Sequence, residues 1–354
     1  MYPQRRQRLV RFLDDHDLDV LVLRRPSSVA WAAEGARTHI DVSVELGVAW
    51  LVVSRDGTRV ITSRIEADRL AAEELTDPAY EWTVLDWVRD LADEVPAGDR
   101  IGVDGPMPGR RDVSAELEVA RRSLLPEEIE LYRVLGRDAA EALTATAAAL
   151  GPGDSEWQWA ARAAAEVTAR GADPLVLLVA GAERLPRHRH PLPTAAPAGD
   201  LVMVVVCARR HGLFANLTRF VAGRPLTPEQ TDAQQRMLAV EAAFLGATRP
   251  GLLVRDAFAA GIGAYGANGF DPEEWRKHHQ GGPTGYLSRD HLATPASAEP
   301  IEDAQAFAWN PSVPGLKVED TVLATATGAE VLTLDPAWPV QEVDGRPRPL
   351  VLEP

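Results

Sequence analysis

Leu201-Val202-Met203-Val204-Val205-Val206-Cys207-Ala208 is almost wholly apolar. After Arg209-Arg210-His211-Gly212 the chain returns as Leu213-Phe214-Ala215-Asn216-Leu217-Thr218-Arg219-Phe220. Two such runs about a short polar turn containing glycine read as a strand pair. Phe214, Leu217 and Phe220 do not alternate cleanly, which leaves Asn216 two readings: it points inward, where both ends of its amide need partners, or it is an edge-strand residue bonded to backbone.

Upstream of this pair, Leu125-Pro126-Glu127-Glu128-Ile129 places a proline and two acids where a helix N-terminus favours them. The pattern predicts a helix to about Leu150, stopped by Gly151-Pro152-Gly153, and a second from Asp154-Ser155-Glu156 to about Arg170. Leu175 to Val179 reads as a further strand, and Pro228 to Ala247 as another long helix. The first third alternates: a helix over Gln4 to His16, strands at Leu18–Leu23, Val48–Val53 and Arg59–Thr62, a charged helix over Glu66 to Leu75, then strands at Trp82–Leu85 and Arg100–Val103 around a helix-like Asp86–Glu94. Arg55-Asp56-Gly57 supplies a hairpin turn. The pattern is an α/β (α+β) chain: a mixed-sheet domain over 1–123 and a second domain over 124–354.

Composition narrows the function. The 354 residues are 45% hydrophobic and 25% charged, which suits a globular core. A net charge of −15 repels a phosphate backbone and argues against nucleic-acid binding. One cysteine, Cys207, allows neither an intrachain disulfide nor a thiolate zinc site. No apolar run is long enough for a membrane span, and the Arg-rich start lacks the apolar core of a signal peptide, so a cytoplasmic protein is expected.

Polar signals concentrate in five segments of the second half: Arg187-His188-Arg189-His190-Pro191; the strand pair with Asn216; His278-His279-Gln280-Gly281-Gly282-Pro283-Thr284-Gly285-Tyr286; Phe307-Ala308-Trp309-Asn310-Pro311; and Lys317-Val318-Glu319-Asp320. Adjacent histidines beside two glycines mark a special backbone with imidazoles at hand, and glycine lets backbone approach a ligand closely. His188 and His190 have loose metal-ligand spacing, but one such pair is weak evidence and a solvated basic loop is the better local reading.

In this order the five segments resemble the pita-bread family of creatinase, prolidase, aminopeptidase P and methionine aminopeptidase. The resemblance extends to Leu18-Asp19-Val20-Leu21-Val22, to the helix openers at 125–129 and 151–156, and to Gly199-Asp200-Leu201-Val202. It implies a creatinase-type N-terminal domain followed by a pita-bread domain. The family's peptidases hold two metal ions with two Asp, one His and two Glu. Carried over, the second Asp position is Asn216, and eleven residues before it stands Val205. The histidine falls on His278 or His279, the first Glu on Asn310 and the last on Glu319. One carboxylate and one imidazole survive, too little negative charge to offset two adjacent cations. No metal and no other cofactor is therefore expected.

Creatinase, which resembles this chain in lacking the ligands, cleaves a C–N bond with a histidine acid/base. The resemblance implies His190, His278, His279 and Glu319 as catalytic candidates, with His188 as the alternative to His190. His188, Asn216, Arg219, Asn310 and Lys317 are the substrate-binding candidates. On an extended segment His278 and His279 are expected to point to opposite faces. The expected function is metal-independent C–N cleavage of a small polar molecule. A Xaa-Pro peptidase, a lyase or cyclase, and a non-catalytic binding protein are the alternatives. The family implies a homodimer.

Overall fold

The computed structural model describes residues 3–354. They form two compact units, one running through Arg121 and including His211–Leu213, the other comprising Arg122–Arg210 and Phe214–Pro354. Among the described residues no helix is long and apolar enough to cross a membrane.

The first unit is built on a six-stranded mixed sheet. Its spatial order is Tyr80–Leu85, Thr58–Ser63, Ala49–Ser54, Val20–Leu23, Ile101–Val103 and Arg111–Asp112. Val20–Leu23 is central, antiparallel to Ala49–Ser54 and parallel to Ile101–Val103. Its apolar run is explained by burial: Leu21, Val22 and Leu23 are fully enclosed. The expected helix over Asp86–Glu94 shrinks to a single 3-10 turn, Leu91–Glu94. Trp87 and Val88 are exposed there, so that segment has no buried apolar face to hold a longer helix.

In the second unit the helices Pro126–Ala149, Glu156–Ala169 and Pro228–Ala247 form where the caps require. Glu128 accepts from the Leu125 backbone N–H at 2.7 Å and from the Tyr286 hydroxyl at 2.8 Å, so a helix opener also anchors the glycine-rich segment. Helix Val254–Ala267 is not foreseen from sequence, because Gly261, Gly263 and Gly266 lower its propensity. Packing explains one of these glycines: a Cβ on Gly261 would stand 2.2 Å from the Phe244 ring.

Two sheets carry the site. Asp173–Gly181, Leu201–Arg210 and Leu213–Ala222 make one. Gly281–Thr284, Ala306–Trp309, Asp320–Thr325 and Gly328–Val331 make the other, antiparallel throughout. Leu213–Ala222 links them: Phe214 N–H donates to Gly285 O at 2.9 Å and Thr218 N–H to Glu319 O at 3.0 Å. Asn216 and Thr321 bond reciprocally, backbone N–H to hydroxyl at 2.7 Å and hydroxyl to carbonyl at 3.0 Å.

Behind that seam lies a buried ionic network. Arg348 meets Glu241 at 2.5 Å and Asp320 at 2.6 Å. Asp320 also accepts from Arg219 at 2.9 Å and from the Thr333 hydroxyl at 2.6 Å. All four charged groups are almost wholly enclosed. Removing one partner would strand buried charge, which costs about 3–5 kcal/mol. Arg348→Met is therefore expected to lower the unfolding free energy by about that amount in urea titrations followed by circular dichroism. A loss below about 1 kcal/mol, typical of exposed pairs, would show that the network contributes little.

Candidate active site

The loop bearing His190 is pinned by its neighbour. Arg189 is ion-paired with Glu274 and donates to Ser312 Oγ at 3.4 Å. From the other side, His278 leaves the short helix Glu274–Lys277 in an extended conformation. Its Nδ1 lies 3.0 Å from Ser312 Oγ and its Nε2 is 2.9 Å from His190 Nε2. Ser312 is itself held through its backbone N–H, which donates to the Tyr265 hydroxyl at 2.9 Å. Tyr265 in turn donates to Gln280 Oε1 at 2.8 Å, and Gln280 Nε2 donates to His278 O at 2.7 Å. Because a hydroxyl can give or accept, Ser312 supports either tautomer of His278.

His279 completes a cluster. Its ring centroid is 4.6 Å from that of His278 and 5.4 Å from that of His190. One ring nitrogen from each of the three lies within 4.8 Å of the others. The expectation that His278 and His279 diverge is thus corrected: both rings reach His190. His190 rather than His188 is the partner. His188 is exposed and stands outside the cluster.

Burial is the first cause of the low basicity of this group. It drives His278 down to about 2, helped by Lys317 and by the neighbouring imidazoles, and drives His279 down to about 4, helped by Arg289. His190, more exposed, is also lowered, by burial and then by Lys317. All three rings are neutral at neutral pH.

Glu319 behaves oppositely. Burial alone would raise it, but Lys317 and then Arg289 bring it down to about 2. Its carboxylate receives Lys317 Nζ at 2.7 Å, Arg289 at 2.8 Å and the Thr218 hydroxyl at 2.8 Å. Strand alternation sorts the neighbours. Thr218 and Glu319 meet on one side, while Arg219 and Asp320 meet in the buried network. Arg219 is therefore corrected from substrate anchor to structural ion pair. Arg289 was not legible, being one arginine in an ordinary polar loop, yet it stands in the place given to Arg219.

Asn216 and Asn310 are buried at 0% and 2% exposure, and neither Oδ1 has a hydrogen-bond partner among the described residues. Asn216 Nδ2 donates to Thr284 Oγ1 at 3.2 Å. Gly281 and Gly282 serve the sheet rather than a ligand: a Cβ on Gly281 (φ +94°) would lie 2.0 Å from Ala308 O. Val205 sits in an apolar cluster with Leu178, Met203 and Phe220. These donors do not fit a pair of metal ions. Two positions are neutral amides and one has no donor atom. The only carboxylate of the set already holds an ammonium and a guanidinium.

Because the histidine values are depressed on folding, their contribution to stability is full above about 6.5, the unfolded value, and declines as pH falls below it. Glu319 adds a loss in the same direction below its unfolded value of about 4.3, as pH falls toward about 2. In chelator-treated protein, imidazole resonances should show His278 and His279 still neutral at pH 5.5. Protonation of either ring near 6.5 would contradict the burial that fixes them.

The sequence matches the Creatinase/Prolidase N-terminal domain over residues 5–110 and Metallopeptidase family M24 over residues 130–326. No curated protein sequence matches the chain. Among solved structures it is similar to the prolidase from Pyrococcus furiosus, at 17% identity and TM-score 0.76 over 92% of this chain and 99% of that one. The prolidase from Pyrococcus horikoshii OT3 gives 15% identity and TM-score 0.79, with 94% and 98% covered. The Xaa-Pro dipeptidase from Bacillus anthracis gives 18% and 0.74, again with 94% and 98% covered. At these identities the structural likeness speaks for the fold, and the match over 130–326, more than half the chain, establishes the family: this protein belongs to metallopeptidase family M24, the pita-bread family of creatinase and prolidase.

Proposed function

We propose that the three-histidine site hydrolyses a C–N bond in a small, peptide-like substrate that carries a carboxylate. The observation that carries this reading is the 2.9 Å approach of His190 Nε2 to His278 Nε2, two neutral imidazoles backed by a serine hydroxyl. His190 is exposed and accepts a proton from an attacking water, and the proton can pass along the His278–Ser312 chain. The same chain read backwards delivers a proton to the departing nitrogen. Glu319 is committed to Lys317 and Arg289, so it acts as their counter-ion rather than as a base. Around it two cations face one anion, an excess positive charge suited to a substrate carboxylate. Arg289 Nε is a buried donor without a partner among the described residues and is the group assigned to that contact. Asn216 and Asn310 offer two buried amide oxygens to a substrate N–H.

The likeness to prolidases and to a Xaa-Pro dipeptidase makes a dipeptide-like amide a better choice than a creatinase-type substrate. The loss of the dinuclear donors separates this chain from an orthodox metallopeptidase and leaves the acid/base work to imidazole.

The test is a panel of dipeptides and N-acyl amino acids, assayed by mass spectrometry for the released amine. Wild-type protein should cleave at least one class, and His190→Ala should lower kcat by roughly 10²–10⁴. Arg289→Ala should act mainly on KM for substrates bearing a free carboxylate. Undiminished turnover in folded His190→Ala would refute the histidine mechanism.

A further inference from the structure

The three imidazoles also satisfy the requirements of a different kind of centre. Their ligating nitrogens lie within 4.8 Å of one another, and the closest pair is 2.9 Å apart. Three nitrogens held about 2.0–2.1 Å from one tetrahedral ion would stand a little over 3 Å apart. The present spacing brackets that value, so closure asks for small ring movements and no change of backbone. His190 lies on an exposed loop and can make most of the adjustment. His278 is braced through Nδ1 by Ser312, the outer contact that ordinarily orients a ligating histidine. His279 Nδ1 is a buried nitrogen with no hydrogen-bond partner among the described residues.

We propose that His190, His278 and His279 form a site for a single divalent transition-metal ion of zinc type, and that occupancy inhibits the enzyme instead of activating it. The donor set is all nitrogen and uncharged. Imidazole selects zinc, copper or nickel and disfavours magnesium, calcium and manganese, which prefer oxygen. An ion held here takes the lone pairs that the acid/base step needs. Lys317 and Arg289 stand near, but each is paired with Glu319, so their repulsion is partly offset. The binding half of the proposal stands on geometry alone; the inhibitory half rests on the hydrolytic reading above.

The experiment uses the full chain stripped with chelator and titrated with Zn²⁺ alone by calorimetry, and with Co²⁺ followed by visible absorption. One ion per chain is expected, with the intense visible bands of a tetrahedral cobalt site, and no binding of Mg²⁺ at the same concentration. His190→Ala and His279→Ala should each raise Kd tenfold or more. His188→Ala, on the same basic loop, should leave Kd unchanged. His190 is exposed, so loss of binding in that variant does not reflect failure to fold. Absence of binding would overturn the site. So would an equal loss on His188→Ala, which indicates adventitious capture by the loop, or two ions per chain lost on Glu319→Gln, which indicates a dinuclear centre. Zn²⁺ is then added to the hydrolysis assay, where a fall in turnover following the measured Kd is expected. Stimulation by zinc would overturn the inhibitory half while leaving the site. Binding in a protein that cleaves nothing in the panel would refute the hydrolytic reading, and inhibition with it, and leave the site standing.

Discussion

Glu319 and Asp320 are adjacent acids with opposite fates, and the site depends on that division. Asp320 turns into the protein and is neutralised by Arg219 and Arg348. Its neighbour, on the other side of the strand, is neutralised by Lys317 and Arg289. Each carboxylate is buried, so each requires cationic partners. The inner pair fixes the strand in place. With the strand fixed, Glu319, Thr218 and Lys317 are delivered to one spot, and the seam with Leu213–Ala222 brings Asn216 beside them.

In that arrangement the buried carboxylate of Glu319 is balanced by protein side chains. A dinuclear centre would balance dication charge against several carboxylates. Here Val205, Asn216 and Asn310 carry no acid, and the buried carboxylate of Glu319 is held by the side-chain cations Lys317 and Arg289. Two cations against one carboxylate leave a modest positive bias there. The imidazoles, held by Arg189, Ser312 and Tyr265, form a cluster of their own within electrostatic reach of Lys317 and Arg289.

Much of this was legible in sequence because strands and helices are specified locally. The apolar run at 201–208, the cap at 125–129 and the proline-led helix at 228–247 each carry their own signal. His190, Asn216, Asn310 and Glu319 can be named from sequence because they stand in recognisable order along the chain. What sequence did not reveal depends on partners distant in sequence. Arg219 looks like an available cation until Asp320 and Thr333 surround it. Arg289 looks like loop decoration until Glu319 meets it, 30 positions away. The divergence expected of His278 and His279 assumed two consecutive extended residues with fixed side-chain directions. His278 is itself extended where it leaves the 3-10 turn, yet both rings converge on His190. Helix Val254–Ala267 was hidden for a related reason, since its glycines gain their meaning from the Phe244 ring packed against one of them.

The Arg348 network also bears on the order in which the molecule can be made. Glu241 and Asp320 precede Arg348 by 107 and 28 positions. On the ribosome both acids emerge well before the cation that makes their burial tolerable. Until it arrives, the strand carrying Glu319 has reason to remain hydrated and loosely placed. Placement of the strand carrying Glu319 is thus coupled to a residue far along the chain, and a fragment that stops short of Arg348 would leave Glu241 and Asp320 without the cation they share.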